Sequence, residues 1–394
     1  MNDKKKILHL CLGNAYVEGY SYQENMLTKF HAQLGYDVSI VASLSSYDEN
    51  GKTCFLEKGS SFINEHGIPV TRLDYRDKSG LARKLRIRRY IGAYEAIARE
   101  KPDILFIHGC QFNDMNRVVK YLKEHPQVAA YVDNHADFSN TATNFISKYI
   151  VNRVIWRHSA RLIEPYARKF YGVLPARVDF LINEYGIPAG KVELLVMGAD
   201  DDEVARVAHP SVGKAVRERH GITSDDFLIV TGGKINRFKT QTLLLMKAVR
   251  SLGKDNVKLL VFGNVVAELK DEVMALCDGK TVIFAGWLDE AGSYDYFSAA
   301  DLAAFPGRHS VYWEQAAGQG IPLMVKRWPG TTHVDAGGNV IFLDEDSEEE
   351  MSRKLRKLID DPEAYAGMKK AAVEKGMRQF SYRDIALRSV EGKE

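Results

Sequence analysis

The chain has little cysteine and nothing that pairs it. Its four cysteines, Cys11, Cys54, Cys110 and Cys277, lie far apart, with no CxxC pair and no zinc-like spacing. That excludes a disulfide framework and a cysteine zinc site, and it fits reduced, largely buried thiols in a cytoplasmic protein. Long hydrophobic runs are also missing. No window approaches the about 18 unbroken apolar residues of a membrane span, and the apolar stretch at residues 7–12, although it follows a basic start, is too short for a secretory signal. These absences predict a cytoplasmic chain, either free or held on a membrane surface. An excess of one charge is lacking too: 54 Lys and Arg face 52 Asp and Glu, a formal net charge of +2, so bulk charge gives no reason to expect a nucleic-acid partner. Neither a Walker pattern nor GxGxxG occurs, which leaves a P-loop ATPase and a plain dinucleotide site without support.

What is present is repeated alternation. With 394 residues the chain is too long for one compact core, and two domains are expected. In the first half, β-branched runs at 7–12, 38–42, 104–107 and 129–132 predict strands, separated by helical patterns at 23–34, 81–99 and 116–125. Short runs at 161–163 and 192–196 are expected to complete that sheet. Residues 200–219, charged and broken by Pro210 and Gly213, read as a linker and an entering helix. Alternation then restarts, with strands expected at 227–233, 258–263, 282–287, 302–307, 322–326 and 340–343. The pattern predicts an α/β protein of two doubly wound, Rossmann-like domains facing each other across a deep cleft. Residues 1–200 would form the first domain, 201–375 the second, and 376–394 a helix crossing back to the first. Ligands of such sheets bind beyond the carboxyl ends of the strands, where helix N-termini converge.

Several stretches at those strand ends can carry chemistry. TGGKINRFKT (231–240) ends a strand at Gly232-Gly233, and Lys234, Arg237 and Lys239 follow before a helix begins. Backbone N–H groups, a helix dipole and flexible cations suit a phosphate, although a solvated basic loop has the same pattern. FPGRHSVYWEQAAGQG (305–320) carries a lone acid, Glu314, early in a helix, with His309-Ser310 in the preceding turn. The acid is either a solvated helix charge or a ligand contact. His135 ends a predicted strand, and its alternation with Asp133 and Asp137 also fits a metal site if the stretch is extended. His108 reads as a buried, hydrogen-bonded strand-end histidine. Two basic stretches remain. SGLARKLRIRRYIGAY (79–94) holds Arg83, Lys84, Arg86, Arg88 and Arg89. NFISKYIVNRVIWRH (144–158) mixes Phe145, Tyr149, Ile150 and Trp156 with cations. Each fits either an anionic membrane surface or an ordinary surface helix.

GGKINRFKT resembles the Gly-Arg-Leu…Lys-Gly segment of glycosyltransferase family 4, and WEQAAGQGIPLMVK resembles that family's Glu-Ala-x-Ala-x-Gly-x-Pro segment. KPDILFIHG, YVDNHADF and KVELLVMGAD extend the likeness along most of the chain. The resemblance implies a GT-B fold and transfer of a sugar from a UDP- or GDP-sugar to a glycan or lipid-linked glycan acceptor. It also implies retention of configuration and needs no metal or other cofactor. Lys234 and Lys239 would hold the donor diphosphate, with Arg237 secondary, and Gly13 and Gly233 would permit close approach. Gly286, Trp287 and Leu288 would meet the base, Glu314 the ribose, and His135 the reacting sugar or acceptor. The sequence departs from the pattern where the first of the paired glutamates belongs. Pro306 stands eight residues before Glu314, which leaves Arg308, His309 and Ser310 to serve there. Two other readings stay open: a nucleotide-sugar epimerase of the same fold, and a non-catalytic subunit that binds a nucleotide sugar or a partner enzyme.

Overall fold

The computed structural model describes residues 4–47, 53–77, 88–141 and 144–391. Its strands, in chain order, are β1 Lys6–Cys11, β2 Asp37–Ala42, β3 Ser45–Tyr47, β4 Thr53–Phe55, β5 Ser61–Ile63, β6 Pro69–Arg72, β7 Ile104–His108 and β8 Ala129–Asn134. They continue with β9 Ala167–Gly172, β10 Val192–Leu194, β11 Phe227–Gly232, β12 Val257–Phe262, β13 Val282–Gly286, β14 Leu302–Phe305, β15 Leu323–Lys326 and β16 Val340–Leu343. The chain divides into two compact units, Met1–Val196 with Ile385–Glu394, and Met197–Asp384.

The first unit contains an eight-stranded sheet in the order β10-β9-β8-β7-β1-β2-β6-β5, parallel except where β5 meets β6. A separate antiparallel pair, β3 and β4, stands beside it. Strands β7 and β8 are buried along their whole length, as expected when helices cover both faces of a parallel sheet. Each such Val, Leu or Ile adds about 1.5–3 kcal/mol of burial. The second unit has six parallel strands, ordered β13-β12-β11-β14-β15-β16.

Strand order reverses between β1 and β7 in the first unit and between β11 and β14 in the second. In open α/β sheets the crevice at such a reversal is where ligands bind. The loops leaving β1 and β11 carry Gly13 and Lys234–Lys239, and the loop leaving β14 carries His309. The topology therefore puts the candidate residues at both reversals.

Three sequence expectations are corrected. Residues 161–163 end a helix, Arg157–Ile163, and the strand that follows is β9. Three apolar residues carry no period, so a helix end and a short strand look alike. Residues 200–219 are two helices, Asp201–Val207 and Pro210–Arg219, and not a linker. Asp200 Oδ1 caps the first by accepting from Asp202 N–H at 3.0 Å, and Pro210, which looked like a break, occupies the first turn of the second, where proline is favoured. The helix expected over 81–99 begins only at Ala93, after Gly92. Tyr90 instead bridges Tyr75, and residues 81–87 lie outside the described residues.

Candidate functional site

In the second unit the loop after β11 folds back through Lys239 N–H, which donates to the Asn236 carbonyl at 2.9 Å. This brings the Lys239 ammonium back to the glycine turn. Gly233 has φ +113°, and a Cβ there would sit 3.9 Å from Lys239 Nζ and 3.6 Å from the Tyr312 ring. Lys239 is half-buried, burial lowers its pKa, and no carboxylate pairs with it among the described residues. Lys234 and Arg237 are exposed, and Arg237 leans on Glu268 at 3.4 Å. Gly286 N-terminal to Trp287 has φ +80°, and its carbonyl accepts from Gly263 N–H at 2.7 Å. Trp287 is 66% exposed, and Leu288 is half-buried.

Glu314 is not a solvated helix charge. It lies in the helix Tyr312–Gly318, where Trp313, Gln315, Ala316 and Ala317 are also buried, and its own exposure is 0%. Nε2–H of His309 and Nε2–H of His333 both donate to Glu314 Oε1, each at 2.7 Å. Burial alone would raise the Glu314 pKa, but the charge of His309 and the two hydrogen bonds bring it down to about 2. Its second oxygen, Oε2, is buried without a partner. Glu314, expected to meet a ribose, thus keeps one oxygen without a hydrogen bond while the other is held by two histidines. The carboxylate lies behind His309, whose side chain is 15% exposed, while His333 at 1% closes the rear. His309 is the member that reaches the surface.

The three ligand atoms lie within 4.8 Å of one another. Both imidazole nitrogens nevertheless approach one oxygen more closely than the about 3.3 Å that separates ligands around a tetrahedral zinc ion, which is hydrogen-bond spacing. The family pattern also needs a recount. Taken back from Gly320-Ile321-Pro322, its glutamate falls on Gln315, whose amide donates to Ser293 Oγ at 2.8 Å. In either register the position eight residues earlier, Pro306 or Gly307, has no carboxylate. Ser310 instead holds the turn, its carbonyl accepting from Trp313 N–H. The Arg308 guanidinium lies over the Phe238 ring at 5.0 Å.

The first unit repeats this arrangement. Asp133 ends β8 fully buried, with His108 behind it at 2.7 Å and His135 in front at 3.4 Å; the side-chain exposures are 0% and 23%. Asp133 Oδ1 accepts from Gly109 N–H at 3.1 Å. Burial alone would raise the Asp133 pKa, but the two histidines hold it far below the usual range. For His135, burial lowers the pKa, but Asp133 and Glu24 outweigh it and raise the value overall. Asp137 takes no part, since Arg177 pairs with it at 3.1 Å. The Asp133–His135–Asp137 trio therefore does not assemble.

Behind His108 runs a chain that sequence reasoning missed. His108 Nε2 meets His9 Nδ1 at 2.9 Å, His9 Nε2 meets His31 Nδ1 at 3.0 Å, and His31 Nε2 meets the Ala386 carbonyl at 2.9 Å. The partners fix the protons. A carbonyl only accepts, so His31 carries its proton on Nε2. Burial lowers the pKa of His31 to about 4 and that of His9 well below its ordinary value, so both are neutral. Each then accepts on Nδ1 and donates from Nε2. His108 lies between this chain and the Asp133 carboxylate, which its Nδ1 meets at 2.7 Å.

In front of His135 lies a cavity of about 580 Å3, lined by Gly13, Glu24, Tyr47, Phe55, Arg88 and His135 among others. Gly13 is required there, because a Cβ would sit 2.8 Å from the carbonyl oxygens of both Gly109 and His108. Arg88, expected on an acceptor-facing surface, turns inward and donates to the Gly13 and Gln111 carbonyls. Arg89 is exposed; Arg83, Lys84 and Arg86 lie outside the described residues. Trp156 is core, at 4% exposure, while Phe145, Tyr149 and Ile150 are exposed.

Residues 226–361 match the model of the family described as "Glycosyl transferases group 1". The mannosylfructose-phosphate synthase of Agrobacterium fabrum is 23% identical over 238 residues, 56% of this chain and 52% of that one, so the chain spans about half the length of this curated relative. Among solved structures, a glycosyltransferase from Rickettsia africae superposes with a TM-score of 0.67 at 12% identity, covering 99% of this chain and 97% of that one. Anabaena HepE in complex with UDP gives 0.67 at 15% identity, covering 97% and 98%. At these identities the structural likeness shows the fold alone, which is GT-B. The family match lies over part of the unit that carries Lys239 and Glu314, so a chain of GT-B fold is similar over residues 226–361 to the group 1 glycosyltransferases.

Proposed function

We propose that the protein transfers a hexosyl or N-acetylhexosaminyl group from a UDP- or GDP-sugar to a hydroxyl of a glycan or lipid-linked glycan. The reaction retains configuration and serves cell-surface polysaccharide or glycoconjugate synthesis. The observation that carries this reading is Lys239. A half-buried ammonium without a counter-ion, at a glycine turn on the β11–β14 reversal, calls for an anion. A leaving diphosphate gains negative charge as the glycosidic bond breaks, and a preorganised cation is most effective against charge that develops in the transition state. Lys234 and Arg237 add to that field from the exposed side. Gly286, Trp287 and Leu288 take the base. His309 donates to the ribose or phosphate, with Glu314 and His333 as positioning residues behind it, and His135 holds the reacting sugar or the acceptor hydroxyl.

A thermal-shift series with UDP-, GDP- and ADP-sugars tests the donor claim, because a ligand at about 100 times its Kd stabilises the native state by about 2.7 kcal/mol. One nucleotide class is expected to raise the midpoint, and Lys239→Ala to weaken binding about tenfold or more. No shift from any nucleotide sinks the proposal. Consumption of donor without a new glycoside on any acceptor points to the epimerase reading instead.

The acceptor is drawn from a membrane surface. In the helix Ile146–Trp156 and the residue before it, Phe145 is 72%, Ile146 63% and Val154 60% exposed, with Ile150 at 50%. Lys148 lies among them, and Arg153 beside them is paired with Glu184 at 2.6 Å. An exposed apolar row edged with cations suits the interface of an anionic bilayer, and among the described residues no helix is long and apolar enough to cross one. Sedimentation with anionic vesicles is expected to exceed that with neutral vesicles and to fall in Phe145→Ser/Ile150→Ser. Equal partitioning in all cases excludes this attachment.

A further inference from the structure

The cavity in front of His135 contains one group whose chemistry is unfinished. Glu24, in the first turn of the helix Gln23–Gln33, is 5% exposed and lines the cavity, with no hydrogen bond or ion pair among the described residues, although His135 feels its charge. The acceptor sites of a carboxylate on a cavity wall suit a ligand that brings donors. Asn14 Nδ2, on the same wall, is likewise buried without a partner.

The remaining lining narrows the ligand. Four aromatic side chains, Tyr22, Tyr47, Phe55 and Tyr75, face the cavity. Tyr22 and Phe55 are 36% and 38% exposed, and Tyr20 and Tyr22 stack at 5.2 Å with Tyr47 beside them. Flat aromatic faces suit the C–H face of a sugar ring, while carboxylate and amide groups suit its rim of hydroxyls. The lining gives a phosphate little: Glu24 is an acid, and Arg88 keeps its charge but spends Nη1 on the Gly13 and Gln111 carbonyls.

We infer that this cavity holds an uncharged sugar ring of the acceptor, with Glu24 accepting from two neighbouring hydroxyls and the Tyr47 and Phe55 rings covering one face. The inference rests on the transferase reading and names the chemistry of its acceptor. It also extends the site to the β3–β4 pair, which supplies Ser45, Tyr47, Thr53 and Phe55 to the wall. Glu24 is a binding residue here, and a glutamine of the same shape retains only one acceptor oxygen and no charge.

Binding of methyl α-glucopyranoside, methyl α-mannopyranoside, methyl α-galactopyranoside and N-acetylglucosamine to the full chain tests the inference, each measured beside the 6-phosphate of the parent sugar. Saturation-transfer NMR and calorimetry would be run with and without UDP, GDP or ADP. At least one neutral sugar is expected to bind, and Glu24→Gln to weaken it about tenfold or more. Tyr47→Ala should weaken it as well, Tyr47→Phe should restore most of it, and nucleotide affinity should not change in any of the three. An unchanged melting midpoint shows that the variants are folded. The inference is overturned if the 6-phosphates bind more tightly than the neutral sugars and gain from Glu24→Gln. It is also overturned if no sugar binds while a nucleotide does, and that result leaves the transferase reading standing. Sugar binding that depends on Glu24, with no nucleotide bound at all, supports the pocket and removes the transferase.

Discussion

Each unit places a buried carboxylate between two histidines at the carboxyl edge of its sheet, one histidine sealed behind and one partly exposed in front. The first unit has His108, Asp133 and His135; the second has His333, Glu314 and His309. The two differ in what stands behind. Behind His108 the hydrogen bonds continue through His9 and His31 to the Ala386 carbonyl, and both Asp133 oxygens are engaged. In the second cluster His333 Nδ1 and Glu314 Oε2 are buried without partners. The first is complete behind Asp133, while in front of it His135 Nε2 has no hydrogen bond and only the 3.4 Å approach to the carboxylate. The second is incomplete at the back as well, and a network with unmet groups can rearrange at low cost when a ligand arrives. The front histidine of each unit is therefore free to turn to a ligand, and the two differ in how firmly the carboxylate behind it is held. In the second the carboxylate has hydrogen-bonding capacity to spare.

Replacing each carboxylate by its amide separates the two clusters. Asp133→Asn takes the buried carboxylate away from His108 and His135 together, and removing one partner of a buried pair costs about 3–5 kcal/mol. Glu314→Gln removes a charge from a cluster in which Oε2 contributes nothing, and a loss nearer about 1–3 kcal/mol is expected. Urea unfolding of both variants checks the order, and a larger loss at Glu314 breaks the comparison. The pH dependence sharpens it. The folded Glu314 pKa, about 2, lies below the ordinary glutamate value, so its contribution is fully present above that ordinary value and is lost as pH falls through the folded one. The stability gap between wild type and Glu314→Gln is therefore expected to hold from pH 7 to about 4.5 and to close below that. A gap that widens in acid contradicts the charge assignment.

The two clusters were unequally legible in the sequence. The alternation of strands and helices, and the positions of Lys239, His135 and Glu314 at strand ends, follow from local strings, because a buried parallel strand and its glycine turn are contiguous in the chain. Partners are not. His333 comes from the loop after β15, and His9 and His31 come from a neighbouring strand and a helix packed on it, so only the closed fold brings them to Glu314 and Asp133. Glu24 was passed over because an acid in the first turn of a helix already has a sufficient explanation in the helix dipole; only its burial reveals the missing partner. The burial of Glu314 had a weak local sign in WEQAAG, which has no polar face to give to water. Trp156 was misplaced for the opposite reason: it follows a row of exposed apolar residues but turns into the core.

The smallest expected effect lies at the back of the second cluster. His333→Phe removes one of two donors to Glu314 Oε1, and it also removes the unpartnered Nδ1, so a loss and a relief of about 1 kcal/mol each nearly cancel. Stability should change little. The consequence falls on His309, because the carboxylate that orients it is no longer held from behind. Under the proposed role the donor KM rises several-fold while kcat stays within about twofold, since a ground-state contact is loosened and the reacting atoms are untouched. His333→Gln, whose amide can donate to the same oxygen, should restore the KM. A purely structural role predicts the reverse, a lowered melting midpoint with unchanged KM. The matching change in the first unit, His31→Phe, gains no such relief, because it strips buried His9 Nε2 of its partner, while the Ala386 carbonyl keeps the Ser389 hydroxyl. A stability loss at His31 that exceeds the loss at His333 would show that the imidazole chain behind Asp133 serves the fold, while the back of the Glu314 cluster serves the ligand.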